Sequence, residues 1–279
     1  MRSVDLRRLR YLCAVVEERH LTRAAERLGV RASSLSQQII ALERELDVTL
    51  FTRTPAGMTP TAAALTLLPH ARRLLDAADL AVRAVRDTAD RPLRIGVTPG
   101  APPAVLPALH AAETVELLDL QAARQLERVR GGGLDAGLIA LPEAVDGLRT
   151  AVVSDAALGV LVADTHPLAG CDEVEWADLT GRDLLLYDRD LAPGYHDALL
   201  GACAARGWRP TVRSGPSRRS LFVAELRHGG DAVALRPRWD RSEGLHWAAL
   251  RSAPRVRHAL VWSPAHDQAD RLATLARKL

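Results

Sequence analysis

The first sixty residues constrain this chain more than anything after them, because short amphipathic runs and stop signals alternate there in close order. From Asp5 to Arg19, Leu6, Leu9, Leu12, Cys13 and Val16 recur at three- and four-residue spacing, which predicts a helix with one apolar face. Thr22 offers an N-cap hydroxyl for a short second helix, Arg23 to Leu28, whose Ala24–Ala25 pair permits close packing. Gly29 follows as a left-handed stop. A third helix is predicted from about Ser33 to Leu46, since Leu35, Ile39, Leu42 and Leu46 form one stripe. Ser34 and Gln37 fit a capping box, with Ser33 as an alternative cap. The segment 52–57 then reads as a polar hairpin turn.

From Thr61 to about Asp87 the chain is rich in Ala and Leu and keeps a helical period, with Leu65, Leu68, Ala71, Leu75, Ala78, Val82 and Val85 in step. Such a helix reads as a spacer or coiled-coil partner. Pro69 predicts a kink or a delayed start. After a linker at 88–92 the pattern changes. Leu93–Val97, Val115–Leu120 and Leu134–Ala140 read as strands, separated by helices at Pro103–Ala112 and Ala122–Val129. This alternation implies a largely parallel sheet covered by helices. Further strands are expected at Leu158–Ala163, Asp183–Tyr187, near Val212, at Asp231–Leu235 and at Leu260–Trp262. Helices are expected at about Tyr195–Arg206, Ser217–His228 and Gln268–Lys278.

Charge separates the two parts. Residues 1–90 hold fourteen Arg against eleven acids, a net of +3, while 91–279 balance at 23 against 23. The excess sits where an anionic partner would be met. No stretch nears the roughly 18–20 apolar residues of a membrane span. The basic start, with Arg2, Arg7, Arg8 and Arg10, lacks the apolar core of a secretory signal, so a cytoplasmic location is expected. Cys13, Cys171 and Cys203 form neither a disulfide framework nor a zinc site, although Cys171 and Cys203 leave a redox pair open. Neither a nucleophile elbow, a phosphate loop, a zinc-protease helix nor a dinucleotide fingerprint is present, and the nine histidines are scattered. No enzyme, cofactor or metal is therefore expected.

The chain resembles the LysR-type transcriptional regulators over essentially its whole length. The resemblance is carried by Leu6 to Leu12, Leu21-Thr22-Arg23-Ala24-Ala25-Glu26-Arg27-Leu28, Leu35-Ser36-Gln37-Gln38-Ile39, Leu42-Glu43, Leu50-Phe51, Arg53, Pro60-Thr61 and Pro69-His70-Ala71-Arg72. It implies an α/β protein overall: a winged helix-turn-helix at 1–60, a dimerising linker helix at 61–90, and an effector-binding domain at 91–279 like the periplasmic binding proteins. The lobes would be 91–162 with 265–279, and 163–264. It also implies double-stranded DNA, a small-molecule effector, a homodimer or homotetramer, and RNA polymerase as partners. Two other classes stay open: a regulator that is redox-driven or needs no effector, and a small-molecule binding protein without a regulatory role.

In a helix-turn-helix the second helix of the motif lies in the major groove. Since Leu35, Ile39, Leu42 and Leu46 face the core, Ser33, Ser34, Ser36, Gln37 and Ile40 are expected on the DNA side. Gln37 can pair bidentately with adenine. Thr22, Arg31 and Arg53 are expected at phosphates, and Arg23 is a further DNA-binding candidate. Arg31-Ala32 stands where the family usually has Ser-Gln, Gln37 where it often has Arg, and Ala64 where it usually has Gly. The effector is expected against Thr98, Pro99 and Gly100, a strand-to-helix turn whose amides favour a carboxylate. Ser214, Ser217, Arg218 and Arg236 are the candidates from the second lobe. Few residues separate Leu109 from Val115, so the first lobe is expected to be short.

Overall fold

A computed structural model describes residues 5–54, 57–86, 91–216, 218–240 and 242–279, with Arg53, Thr54, Leu80 and residues 83–86 described by backbone alone. The chain divides into two compact units, Met1–Asp87 and Thr88–Leu279.

In the first unit α1 (Leu6–Glu18), α2 (Leu21–Leu28) and α3 (Ala32–Leu46) are followed by the hairpin of β1 (Phe51–Thr54) and β2 (Gly57–Pro60), then by α4 (Ala62–Arg86). Leu9, Leu12, Leu35, Leu42 and Leu50 are fully buried beside Ala24, Ala25, Ala64 and Ala71. Each buried leucine contributes roughly 1.5–3 kcal/mol, so the stripes dominate the local fold. The hydroxyl caps do not form. His20 and Arg31 take the N-cap positions of α2 and α3 in extended conformation, and Thr22, Ser33 and Ser34 lie inside the first turns. Leu21 and Ala32, both packed on the core, draw the helices two residues earlier than caps at Thr22 and Ser33 would. Asp5 does cap α1, accepting from the Arg7 amide at 2.8 Å.

Glu43 of α3 ties that helix to the hairpin, accepting from the Leu50 and Phe51 amides at 2.7 and 3.1 Å. Thr61 donates its hydroxyl to the Thr49 carbonyl at 2.8 Å and receives the Ala64 amide, which caps α4. The helix runs unbroken through Pro69, so no delayed start occurs. At 1.5 Å per residue its 25 residues reach about 37 Å.

In the second unit β3 (Leu93–Val97), α5 (Val105–Ala112), β4 (Val115–Asp119), α6 (Ala122–Arg130) and β5 (Ala136–Leu141) form a parallel βαβαβ run with β3 in the middle. The 15-residue β6 (Arg149–Ala163) follows, then β7 (Glu173–Val174), β8 (Leu184–Tyr187), α7 (Pro193–Ala205), β9 (Val212–Gly215) and α8 (Arg219–His228). The chain closes with β10 (Ala234–Pro237), β11 (Leu245–Leu250), β12 (Arg255–Trp262) and α9 (Ala269–Ala276). Strand order is β4-β3-β5-β12-β6-β11-β7, with β10 also on β6 and with β8-β9 as a separate parallel pair.

The first half of β6, through Ala157, pairs with β12; the second half, from Leu158, pairs with β10 and β11. This moves the lobe boundaries. The chain leaves the first lobe at about 157, not 162, and returns at 255, not 265, because Leu260 and Trp262 of β12 pack with Leu93, Ile95 and Leu272. One core cluster joins Leu126 and Ile139 of the first lobe to Leu186, Leu199 and Val233 of the second.

Candidate nucleic-acid interface and inter-lobe cleft

On α3 the buried stripe turns the opposite face to solvent. Ser33, Ser34, Gln37, Ile40 and Arg44 are exposed there, and Ser36 is half-buried. Arg31 and Thr22 are exposed at the starts of α3 and α2. Arg23 is exposed too, but its guanidinium donates to the Glu18 carbonyl at 3.0 Å and so closes the end of α1. Arg53 stands in β1, paired in register with Met58, and its side chain lies outside the described residues. Arg27 and Arg72 are held by Glu17, at 2.8 and 3.0 Å. They serve the fold of this unit and were not among the residues expected to meet DNA.

In the second unit a narrow cleft with a cavity volume of about 50 Å³ opens between the lobes. Thr98, Pro99, Gly100, Gln121 and Ala122 line it from the first lobe, and Tyr187, Tyr195, Arg219, Phe222, Arg236 and Asp240 from the second. His258 of β12 completes the wall. The turn after β3 is not the nest of amides its sequence suggests. The Thr98 amide donates to the Leu138 carbonyl, Pro99 has no N–H, and α5 starts only after Ala104. The Gly100 carbonyl accepts from Trp239 Nε1 at 3.3 Å, a link between the lobes.

Positive charge comes instead from α8 and β10. Asp240 is buried and ion-paired with Arg219, while Arg236 Nε lies 3.6 Å from its other oxygen. Arg219 also donates to the Asp240 carbonyl and the Ser242 hydroxyl, each at 2.9 Å. The Arg236 guanidinium sits 4.4 Å from the Phe222 ring centroid and 5.9 Å from that of Tyr187, within cation–π range. Burial first, and the Arg236 charge second, pull Arg219 below the ordinary guanidinium value. Two cations thus share one carboxylate, and the cleft keeps a net positive charge. Burial pushes the His258 imidazole down to about 4, so it is neutral at pH 7, and its ring lies 5.9 Å from that of Trp239.

The structure brings Thr98, Pro99, Gly100 and Arg236 together in the cleft. Arg218 borders an adjoining groove with Thr98, Pro99 and Leu117. Ser214 is not in the cleft wall: its side chain is exposed and its hydroxyl donates to Asp188. Ser217 lies outside the described residues. Arg219, Asp240, Tyr187, Phe222 and His258 were not anticipated. An Arg-Arg pair at the start of a helix was the available signal for Arg219; nothing local marks the others.

All three cysteines are free. Cys203 is fully buried in α7, and burial pushes its thiol up to about 11. Cys171 is half-buried. Among the described residues no group of three metal-ligating side chains comes together, and no helix is long and apolar enough to cross a membrane.

A winged helix-turn-helix joined through a long helix to a two-lobed α/β unit with a cationic cleft is the build of a DNA-binding regulator with an effector-binding domain. Comparison with known proteins agrees. Residues 6–65 match the bacterial regulatory helix-turn-helix of the lysR family, and residues 86–279 match the LysR substrate binding domain. The chain belongs to the LysR family of transcriptional regulators. It is 30% identical over 285 residues to the HTH-type transcriptional regulator YnfL of Escherichia coli K12, covering 95% of this chain and 94% of that one. It is 32% identical over 279 residues to the regulator IlvR of Caulobacter vibrioides, covering 93% and 92%. Among solved structures, a hydrogen peroxide-bound cysteine mutant of Corynebacterium glutamicum OxyR superposes with a TM-score of 0.56 at 27% identity, covering 98% of this chain and 92% of that one.

Proposed function

We propose that this regulator reads its operator with the outer face of α3 and answers to a small carboxylate held between the lobes by Arg236 and Arg219. The observation that carries the second half is Asp240, a buried carboxylate clamped by two arginines against an aromatic wall. Two arginines stand beside one carboxylate in the cleft wall, which favours an anionic ligand. Tyr187, Tyr195 and Phe222 favour a ligand with a flat or apolar body. No catalytic step is assigned to the cleft. Leu74, Ala78 and Val82, at four-residue spacing on α4, support pairing with a second copy, since Leu74 and Val82 are 53% and 51% exposed. The regulator works where its DNA is, in the bacterial cytoplasm.

A thermal-shift screen of aromatic and aliphatic carboxylates tests the cleft. A ligand at a hundred times its Kd stabilises the protein by about 2.7 kcal/mol, and Arg236→Ala should remove most of that response. An undiminished shift in the variant would place the ligand elsewhere. For the DNA face, Gln37→Ala should relax discrimination at one base pair by roughly 1–3 kcal/mol. Arg53→Ala should weaken all sequences alike. If the two variants behave the same way, base reading and phosphate contact are not divided as proposed.

The redox alternative gains little support. A thiol at about 11 is almost wholly protonated at pH 7, and the thiolate is the form that oxidises.

A further inference from the structure

We infer that Ile40 is a base-reading residue, making an apolar contact with the 5-methyl group of a thymine in the major groove. The inference rests on α3 being the reading helix.

Ile40 is 39% exposed, although the other isoleucine on this helix, Ile39, is buried. A large aliphatic side chain left in water at mid-helix forgoes its burial energy unless a partner covers it. Its neighbours on the surface are those that face outward with it. Ser33, Gln37, Ile40 and Arg44 follow at spacings of four, three and four, one continuous exposed line. From Ser33 to Ile40 is about 10.5 Å along the axis, which fits within a major groove roughly 12 Å wide.

The charge on α3 points the same way. The helix carries Arg44 against Glu43 and Glu45, a net of −1. Glu43 is engaged by the hairpin amides and Glu45 by Arg8, 2.6 Å away. With both acids engaged inside the unit, Arg44 is the one charged side chain on the outward line, and Ser33, Gln37 and Ile40 beside it offer only short-range contacts suited to base edges. Among those edges the thymine methyl alone suits an aliphatic side chain. The occupant is therefore the established class of partner, duplex DNA, and the contact is chemically specific: thymine is accepted where cytosine or uracil is not.

The test uses the full-length protein and a duplex that it has itself selected from a random pool. Each thymine is replaced in turn by deoxyuridine, which removes only the methyl, and affinity is read by fluorescence anisotropy. Wild type should lose roughly fourfold at one position per half-site, the equivalent of one buried methyl. Ile40→Ala should bind the parent duplex about that much more weakly and no longer distinguish thymine from uracil there. Circular dichroism and sedimentation show whether the variant is folded and keeps its assembly. Full sensitivity to uracil in Ile40→Ala overturns the inference, as does a wild type indifferent to every replacement. If Ile40→Ala changes the assembly and not the uracil response, Ile40 meets a second copy, and the inference fails. Loss of discrimination in Gln37→Ala alone leaves α3 as the reading helix without Ile40; no effect in either variant removes the reading helix as well.

Discussion

Replacing Asp135 with alanine should cost the second unit about 3–5 kcal/mol, as is usual when one member of a buried ion pair is stranded. Asp135 is 3% exposed at the entry to β5. Arg91 donates to it twice, at 2.7 and 2.8 Å, the Arg94 amide once at 2.6 Å, and His266 Nε2 lies 3.0 Å away. These contacts join the start of β3, the start of β5 and the turn before α9. Removing the carboxylate takes from the mostly buried Arg91 guanidinium two hydrogen bonds of 2.7 and 2.8 Å. Burial alone would push the Asp135 carboxyl up. Hydrogen bonds from His266, Arg91 and the Arg94 amide outweigh it and hold the group far below the ordinary range. The sign follows. With the folded value below the unfolded value of about 3.9, the contribution is complete above that pH and is lost as pH falls beneath it. Calorimetric unfolding should show the full difference between wild type and Asp135→Ala from about pH 7 to about 5. The two should converge as the pH drops below about 4. A variant within about 1 kcal/mol of wild type at neutral pH would show that the cluster is not what closes this lobe.

Two glycines of the first unit should part company under the same substitution. Gly57→Ala is expected to cost about 3 kcal/mol, and Gly29→Ala about 1–2 kcal/mol. Both have positive φ, +125° and +66°. The difference is what a Cβ would meet. At Gly29 nothing lies within 4 Å, so only the left-handed backbone is disfavoured. At Gly57 the Cβ would overlap the carbonyl oxygen of Arg19, which also accepts the Met58 amide at 2.9 Å. Arg19 is itself held at φ 49° where α1 ends, so it has little freedom to yield. The hairpin of β1 and β2 must then lift from α1, and DNA affinity should fall with stability. Urea unfolding of the two variants, with operator binding alongside, checks the order; equal costs would mean that the hairpin does not depend on this close approach.

The helices of the first unit are legible in the sequence because their information is local. Leu35, Ile39 and Leu42 announce the inner face of α3, and the outer face follows by elimination. The caps are not legible in the same way, since a serine hydroxyl worth about 1 kcal/mol competes with packing of Leu21 and Ala32 that only the folded neighbours reveal. In the second unit β3, β4 and β5 read well, being apolar and short. The first half of β6 does not: Arg149, Thr150, Ser154 and Asp155 give it a polar, half-exposed surface without a clean alternation. Its partner β12 lies about a hundred residues away, as Arg255 bonded to Asp155 shows. The cleft suffers from the same distance. Thr98 and Arg236 could be nominated from turns and charges, but Asp240 and His258 acquire meaning only when β10 and β12 are brought to one wall.

The pairing of β6 with β12 also sets an order of manufacture. β12 is the strand between β5 and β6, yet it is synthesised after the whole of the second lobe, since Leu158 to Pro254 intervene. Until residues 255–262 leave the ribosome, β5 and the first half of β6 each present an open edge, and α9 is not there to cover Leu93 and Ile95. The lobe begun first is thus completed last. A nascent or truncated chain ending before Arg255 carries two sticky strand edges in its first lobe, and that is where aggregation or chaperone capture of this protein should begin.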